Sequence, residues 1–186
     1  MPEFALIHRK ALATARTGQF GATPAAVELI ALPECGVLQA MAAHFAADSE
    51  ATLHAAFKDT PVSIRRVSPY QWLVISEPNV QVDLDSIRNV SGTRITLLDQ
   101  SHGYAPMQIS GPKVENMLAK GTGVDLSINQ WPVGQSHQTL VGHTSALVTR
   151  TEPTKFELIV MRSFAGSLWD ELITMGLEFG VNARNG

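Results

Sequence analysis

Sulfur chemistry is nearly missing: Cys35 is the only cysteine in 186 residues, so no internal disulfide can form, and without a CxxC pair no thiolate zinc set is offered. That usage fits a reducing compartment. Charge is scarce too, at 17% of residues and a net −3 at pH 7. Residues 1–98 carry 8 basic and 9 acidic side chains, and residues 99–186 carry 6 and 8. Neither half is a polar arm that steers a charged ligand, and nucleic acid is not an expected partner. No apolar run approaches the ~18–20 residues that cross a bilayer, so no membrane partner is expected either. The opening MPEFALIHRK has Glu3 where a secretory leader wants positive charge. The expectation is a soluble cytoplasmic protein.

What is present is the material of a core. Apolar residues make up 45%, and a chain of this length removes roughly 70% of its unfolded surface from water without needing staples. Sparse charge on such a chain also points to surface covered by a partner.

Residues 1–25 show no sustained periodicity and read as an arm. Residues 27–32 (VELIAL) read as a strand that Pro33 stops. From Gly36 onward Leu38, Met41, Ala42, Phe45, Leu53, Ala56 and Phe57 keep three-and-four spacing, which predicts one long helix or two short ones. Residues 62–67 and 72–75 predict a hairpin about Pro69, residues 80–89 a weak helix closed by Ser91-Gly92, and residues 94–98 another strand. A strand at 104–109 then leads through Ser110-Gly111-Pro112 into a helix that uses Val114, Met117 and Leu118. Strands follow at 139–141, 146–149 and 156–160, and a last helix capped by Ser163 carries Phe164, Leu168, Leu172, Met175 and Phe179 on one side. SPYQWLVI with its following helix parallels EPTKFELIV with its own, which predicts an internal duplication. The fold class read from this order is α+β, with two ferredoxin-like βαββαβ halves. The divisions are an arm at 1–25, a first half at 26–98, a second half at 99–180 packed with the first as one unit, and a tail at 181–186.

The chemical candidates are few. His102, His137 and His143 stand near glycines at strand ends, and three imidazoles can hold zinc. No carboxylate lies close in sequence to orient them, so structural histidines are the default and no metal is predicted. Cys35-Gly36 precedes a predicted helix start whose dipole would favour a thiolate, against the ordinary reading of a small residue at a turn. Lys120-Gly121-Thr122-Gly123 follows a helix where a phosphate loop must precede one, so it is a helix stop. GxGxxG and GxSxG are absent, and Ser101 and His102 are neighbours that a strand would point to opposite faces. No catalytic residue and no cofactor is therefore assigned to the chain. Trp72 and Trp169 fall in apolar patterns and read as core, whereas Trp131, in Asn129-Gln130-Trp131-Pro132, reads as the exposed tryptophan and a partner-interface anchor. Arg162 either pairs with Asp170 or Glu171 or faces a partner.

The segment DQSHGYAPMQISGPKVENMLAKGTGVDL (99–126), with GQSHQTLVGHTSALVTR (134–150), FELIVMRSFAGSLWDEL (156–172) and SPYQWLVI (68–75), resembles the gamma subunit of heterotetrameric sarcosine oxidase. More distantly the same order resembles the folate-binding domain of the glycine-cleavage aminomethyltransferase, with Ser110-Gly111-Pro112 at that family's strand-to-helix junction. The transferase has an acidic residue near its glycine turn, where this chain reads Gly142-His143-Thr144-Ser145. The resemblance implies a complex with alpha, beta and delta subunits that demethylates sarcosine to glycine and reduces oxygen to hydrogen peroxide. FAD, FMN and NAD would belong to the larger subunits and zinc to the smallest, with tetrahydrofolate accepting the one-carbon unit. The gamma chain would be a structural subunit without a cofactor. Two alternatives remain open: a folate-binding, aminomethyltransferase-like protein acting alone, for which Asp99 and His102 are the candidate pair, and the equivalent subunit of an N-methyl amino acid dehydrogenase, such as one acting on N-methylglutamate.

Overall fold

Residues 104–110 and 155–161 set the frame. Each alternates its side chains between two covered faces, and they pair antiparallel along their whole length, Tyr104 opposite Met161 and Ser110 opposite Lys155. The computed structural model describes residues 8–42, 48–78, 80, 82 and 95–186. In chain order the elements are β1 (Gly18–Phe20), β2 (Val27–Ala31), β3 (Val37–Ala42), α1 (Ser49–Ala56), β4 (Val62–Ser68), β5 (Gln71–Ser76), β6 (Ile95–Asp99), β7 (Tyr104–Ser110), α2 (Val114–Leu118), β8 (Ser136–Val141), β9 (Thr144–Glu152), β10 (Lys155–Met161), a 3-10 turn (Arg162–Phe164), α3 (Ala165–Gly176) and β11 (Val181–Asn185).

The strands form a four-stranded sheet, β4-β5-β3-β6, and a seven-stranded sheet, β1-β11-β2-β7-β10-β9-β8. In the smaller sheet the first and third strands of the unit, β3 and β5, lie side by side at the centre and all pairs are antiparallel, the ferredoxin-like order. β7, β9, β10 and β11 repeat that order in the larger sheet, with α2 and α3 as crossovers. The α+β class with two ferredoxin-like halves is thus present. β5 and β10, which carry the two similar sequence stretches, occupy equivalent places.

Four layers result. Leu29, Met107, Ile109, Phe156, Leu158 and Val160 face α2 and α3, where Met117, Leu168, Trp169 and Leu172 close the largest core. The opposite face of the same sheet turns Leu147 and Ile159 onto Val37, Leu73 and Ile75 of the smaller sheet. The outer face of that sheet buries Leu38, Ala40, Trp72 and Val74 under Leu53 and Phe57. Each buried Val, Leu, Ile, Phe or Met among them contributes roughly 1.5–3 kcal/mol on leaving water.

Several sequence expectations change. Residues 37–42 are a strand, not the start of a helix, because Val37 and Leu38 are buried on opposite faces. A strand covered on both sides loses the period that distinguishes it from a helix. Residues 181–186 are not a tail: β11 lies between β1 and β2, antiparallel to the first and parallel to the second. β2, assigned to the first half, is inserted into the second half's sheet beside β7. The arm is tied down through β1 and through Leu12, which is buried in the main core. Ser163 does not cap the last helix; the 3-10 turn precedes α3, whose N-cap is Phe164. The predicted helix at 80–89 and its close at Ser91-Gly92 lie outside the described residues, apart from Val80 and Val82. Among the described residues no helix is long and apolar enough to cross a membrane.

Candidate functional site

A cavity of about 500 Å³, open to solvent, lies between β4 and β5 on one side and β7 and β10 on the other. Leu32, Pro33, Pro61, Pro78, Pro106 and Ile75 give it apolar walls. Its polar groups follow from strand parity. Arg65 shares a face of β4 with Val67, and Glu157 shares a face of β10 with Ile159, so both enter the interval between the sheets. Arg65 Nη1 donates to Glu157 Oε1 at 2.8 Å and to Thr149 Oγ1 at 3.1 Å, while its Nε donates to Ser63 Oγ at 3.1 Å. Their side chains are 10% and 19% exposed, so this ion pair is largely withdrawn from water and locks the sheets together.

Cys35 lies on the same cavity. Burial, with the Glu157 carboxylate adding to it, pushes its thiol up to about 11. No thiolate forms there at neutral pH. The expected helix dipole is missing, since Cys35-Gly36 leads into β3. The cavity therefore offers the Arg65–Glu157 pair, a protonated thiol, the Gln108 amide and, at its exposed rim, the Glu77 carboxylate, a set suited to holding a ligand.

The other residues singled out from sequence lie elsewhere. Asp99 Oδ1 accepts from the Ser101 backbone N–H at 2.9 Å and from its hydroxyl at 2.6 Å. These bonds hold the carboxyl below its usual range, with His102 adding a smaller electrostatic pull. Ser101 Oγ in turn accepts the Val37 N–H at 3.1 Å, so Asp99 shapes the turn between the sheets. His102 stands 5.7 Å from the His8 ring, centroid to centroid. Neither Asp99 nor His102 lines the cavity. His137 packs edge-on against Trp131 at 4.5 Å, and His143 sits in the β8–β9 turn, where its N–H donates to Glu171 Oε2 at 3.3 Å. His102, His137 and His143 are not brought together, and among the described residues no group of three His, Cys, Asp or Glu could hold a metal ion.

Trp131, expected to be exposed and to anchor a partner, is fully buried: it donates from Nε1 to the Gln135 carbonyl at 2.9 Å and packs edge-on against Phe156, so it anchors the interior. Asn129 and Gln130 mark a loop, but that loop folds its indole inward to fill the end of the main core. Arg162 pairs with neither Asp170 nor Glu171. Its guanidinium binds Glu34 at 2.8 Å and the Arg9 carbonyl, which ties the N-terminal arm to the 3-10 turn. Lys120 ends the α2 turn and donates to the Met175 carbonyl at 2.6 Å. Trp72 and Trp169 are buried in the core, as their patterns indicate. Arg65, Glu157 and Arg150 carried no site expectation, although Glu157 gave a signal: it is an ion between Phe156 and the apolar run Leu158–Val160, where a charge needs a partner.

Residues 56–184 match the GCVT N-terminal domain family. An aminomethyltransferase of Alkaliphilus metalliredigens (strain QYMF) is 31% identical over 116 residues, 60% of this chain and 31% of that protein. One from Thermoanaerobacter sp. (strain X514) is 28% identical over 114 residues, 59% of this chain and 31% of that protein. The chain thus spans about a third of the length of these curated relatives. Among solved structures, a chain of the heterotetrameric sarcosine oxidase from Corynebacterium sp. U-96 superposes with a TM-score of 0.78 at 22% identity, covering 92% of this chain and 96% of that one. The glycine cleavage system aminomethyltransferase T from Bartonella henselae superposes with a TM-score of 0.57 at 14% identity, covering 87% of this chain but 48% of that one. Both likenesses are likenesses of fold.

Proposed function

Because the chain belongs to the GCVT N-terminal domain family, we propose that it uses that fold as a structural subunit, of the gamma type, in a heteromeric complex that oxidatively demethylates sarcosine. The observation that carries this reading is the closer superposition on a chain of the heterotetrameric sarcosine oxidase, a TM-score of 0.78 against 0.57 for the aminomethyltransferase T. In this proposal the partners are the alpha, beta and delta subunits, which carry FAD, FMN and NAD and use tetrahydrofolate. Stable association of that kind buries on the order of 1,000 Å² or more. Co-expressed with its companion subunits, the chain should elute with them as one yellow complex, and alone it should be colourless. Failure to co-elute, or flavin held by the isolated chain, overturns the reading.

A second reading rests on family membership together with the 500 Å³ cavity: folate binding by this chain alone. Calorimetry of the isolated chain with tetrahydrofolate separates the two. The structural reading expects no binding heat at millimolar ligand, and a saturable heat that Arg65→Met abolishes would favour the folate reading. The same subunit in a dehydrogenase of another N-methyl amino acid is distinguished by assaying the assembled complex, since substrate choice would lie in a partner chain.

A further inference from the structure

Among the described residues the two sheets end in four edge strands, β1 and β8 in the larger and β4 and β6 in the smaller. An edge strand presents a row of backbone N–H and C=O groups that another strand can pair with, unless the edge is short, charged, bulged, stopped by proline or covered. Three of the four meet one of these conditions. β1 has three residues. β4 carries Arg65 and Arg66, loses its regular register between Arg66 and Ser68, and runs into Pro69. Beside β6 the Gln100 N–H donates to the Val37 carbonyl, so the alternation of antiparallel bonding turns the backbone of Ile95 and Leu97 outward, and each of these residues is only 4% exposed.

β8 meets none of them. Ser136–Val141 has six residues without Lys, Arg, Asp, Glu or Pro, and it pairs with β9 in unbroken register. The Arg150 N–H donates to the Gln135 carbonyl just ahead of it, so His137, Thr139 and Val141 bond toward β9, while Gln138 and Leu140 turn their N–H and C=O groups away. Both of these residues are exposed, Leu140 by 57%. Among the described residues their outward groups have no backbone partner, and the Leu140 carbonyl meets the Thr139 hydroxyl of its own strand at 3.4 Å. The groove shared with β4 borders residues 134–138 and stops short of Leu140. The surface beside this edge is uncharged as well: Leu140 stands opposite Ser145, and the register carried on through β9 sets Ser145 opposite Met161, itself 53% exposed, on the same face of the sheet.

Donors and acceptors that alternate at strand spacing are answered by an extended polypeptide. A second copy fits poorly, because β8 paired with itself offers six residues a side, whereas a stable interface takes about 20–30. We propose that β8 is the docking edge for a companion subunit, which adds an extended segment to the larger sheet and lays an uncharged, apolar side chain against Leu140. This inference rests on the assembly proposed above.

The test is amide hydrogen exchange, resolved to single residues by fragmentation mass spectrometry, on the isolated chain and on the complex co-expressed with its companion subunits. In the isolated chain the Gln138 and Leu140 amides should exchange about tenfold or more faster than those of His137, Thr139 and Val141, and assembly should slow them by a similar factor. Leu140→Lys should weaken co-elution about tenfold or more, while Leu177→Lys, at a site 44% exposed beyond the end of α3, should not. An unchanged urea midpoint shows that the isolated Leu140→Lys chain folds, and the exchange measurement needs no variant. A complex that forms with the Gln138 and Leu140 amides still exchanging freely overturns the docking edge and leaves the assembly standing, whereas no complex overturns both. Protection that grows in the isolated chain with its concentration assigns the edge to a second copy and overturns the proposal.

Discussion

Arg150 enters the interior with its guanidinium covered, a position that destabilises a fold unless its donors are answered. It donates to Glu115 at 2.8 Å and to the carbonyls of Pro153 and Leu126, and it lies over Phe156. Arg150→Met keeps much of the volume but strips those carbonyls of their donor. It should cost about 3 kcal/mol, seen as a lower urea midpoint with unchanged slope. Cys35 yields a prediction with a sign. Its folded pKa of about 11 lies above the reference 9.0, so the neutral thiol is favoured by folding. The associated stability is complete below the unfolded value and is lost as pH rises toward the folded one. Native protein should therefore react slowly with a disulfide reagent at neutral pH and rapidly once urea unfolds it, and Cys35→Ala should flatten the alkaline fall in urea midpoint. Fast native labelling at neutral pH would contradict the burial argument.

At the scale of elements, what the sequence made legible depended on the turn residues that bound each segment. β7 runs into Ser110-Gly111-Pro112, β9 and β10 flank Glu152-Pro153, and the final amphipathic helix shows its period in Leu168, Leu172 and Met175. β3 read as a helix because it is covered on both faces and Leu38, Met41 and Ala42 happen to fall at three-and-four spacing. β11 read as a tail because VNARN is short and polar, with only Val181 and Ala183 directed inward, and its strand identity comes from the neighbours that flank it. Long-range insertion of this kind leaves no local periodicity to read. The candidate site failed for a related reason: Arg65 and Glu157 are 92 residues apart, so nothing near either one announces the other. β11 also provides the test at this scale. Deleting residues 181–186 removes a strand paired on both sides, together with the Trp169-side core contacts of Val181 and Ala183. The truncated chain should lose cooperative unfolding by circular dichroism and accumulate as aggregate. A dispensable tail would leave the melting curve where it was.

For the whole molecule, the question is what makes two ferredoxin-like sheets act as one body. The apolar contact between them is modest, with Val37, Leu73 and Ile75 against Leu147 and Ile159, and beside it the Arg65–Glu157 pair bridges the interval. A pair withdrawn from water is weak evidence of net stabilisation, since two well-packed apolar residues often serve as well, but removing one member strands the other charge. That asymmetry fixes the expected order of variants. Arg65→Met alone leaves Glu157 facing the cavity without its cation and should destabilise by about 3 kcal/mol, and Glu157→Leu alone strands Arg65 at a similar cost. The double variant should recover much of the loss, giving a coupling of about 1–3 kcal/mol in a double-mutant cycle read by urea unfolding. Because the pair spans the sheets, the single variants should also separate the unfolding of the two halves, so that Trp72 fluorescence in the smaller sheet and the Trp131 and Trp169 signals in the larger no longer change together. Additive losses with coincident transitions would mean that the apolar contact alone joins the halves and that the ion pair belongs to the cavity.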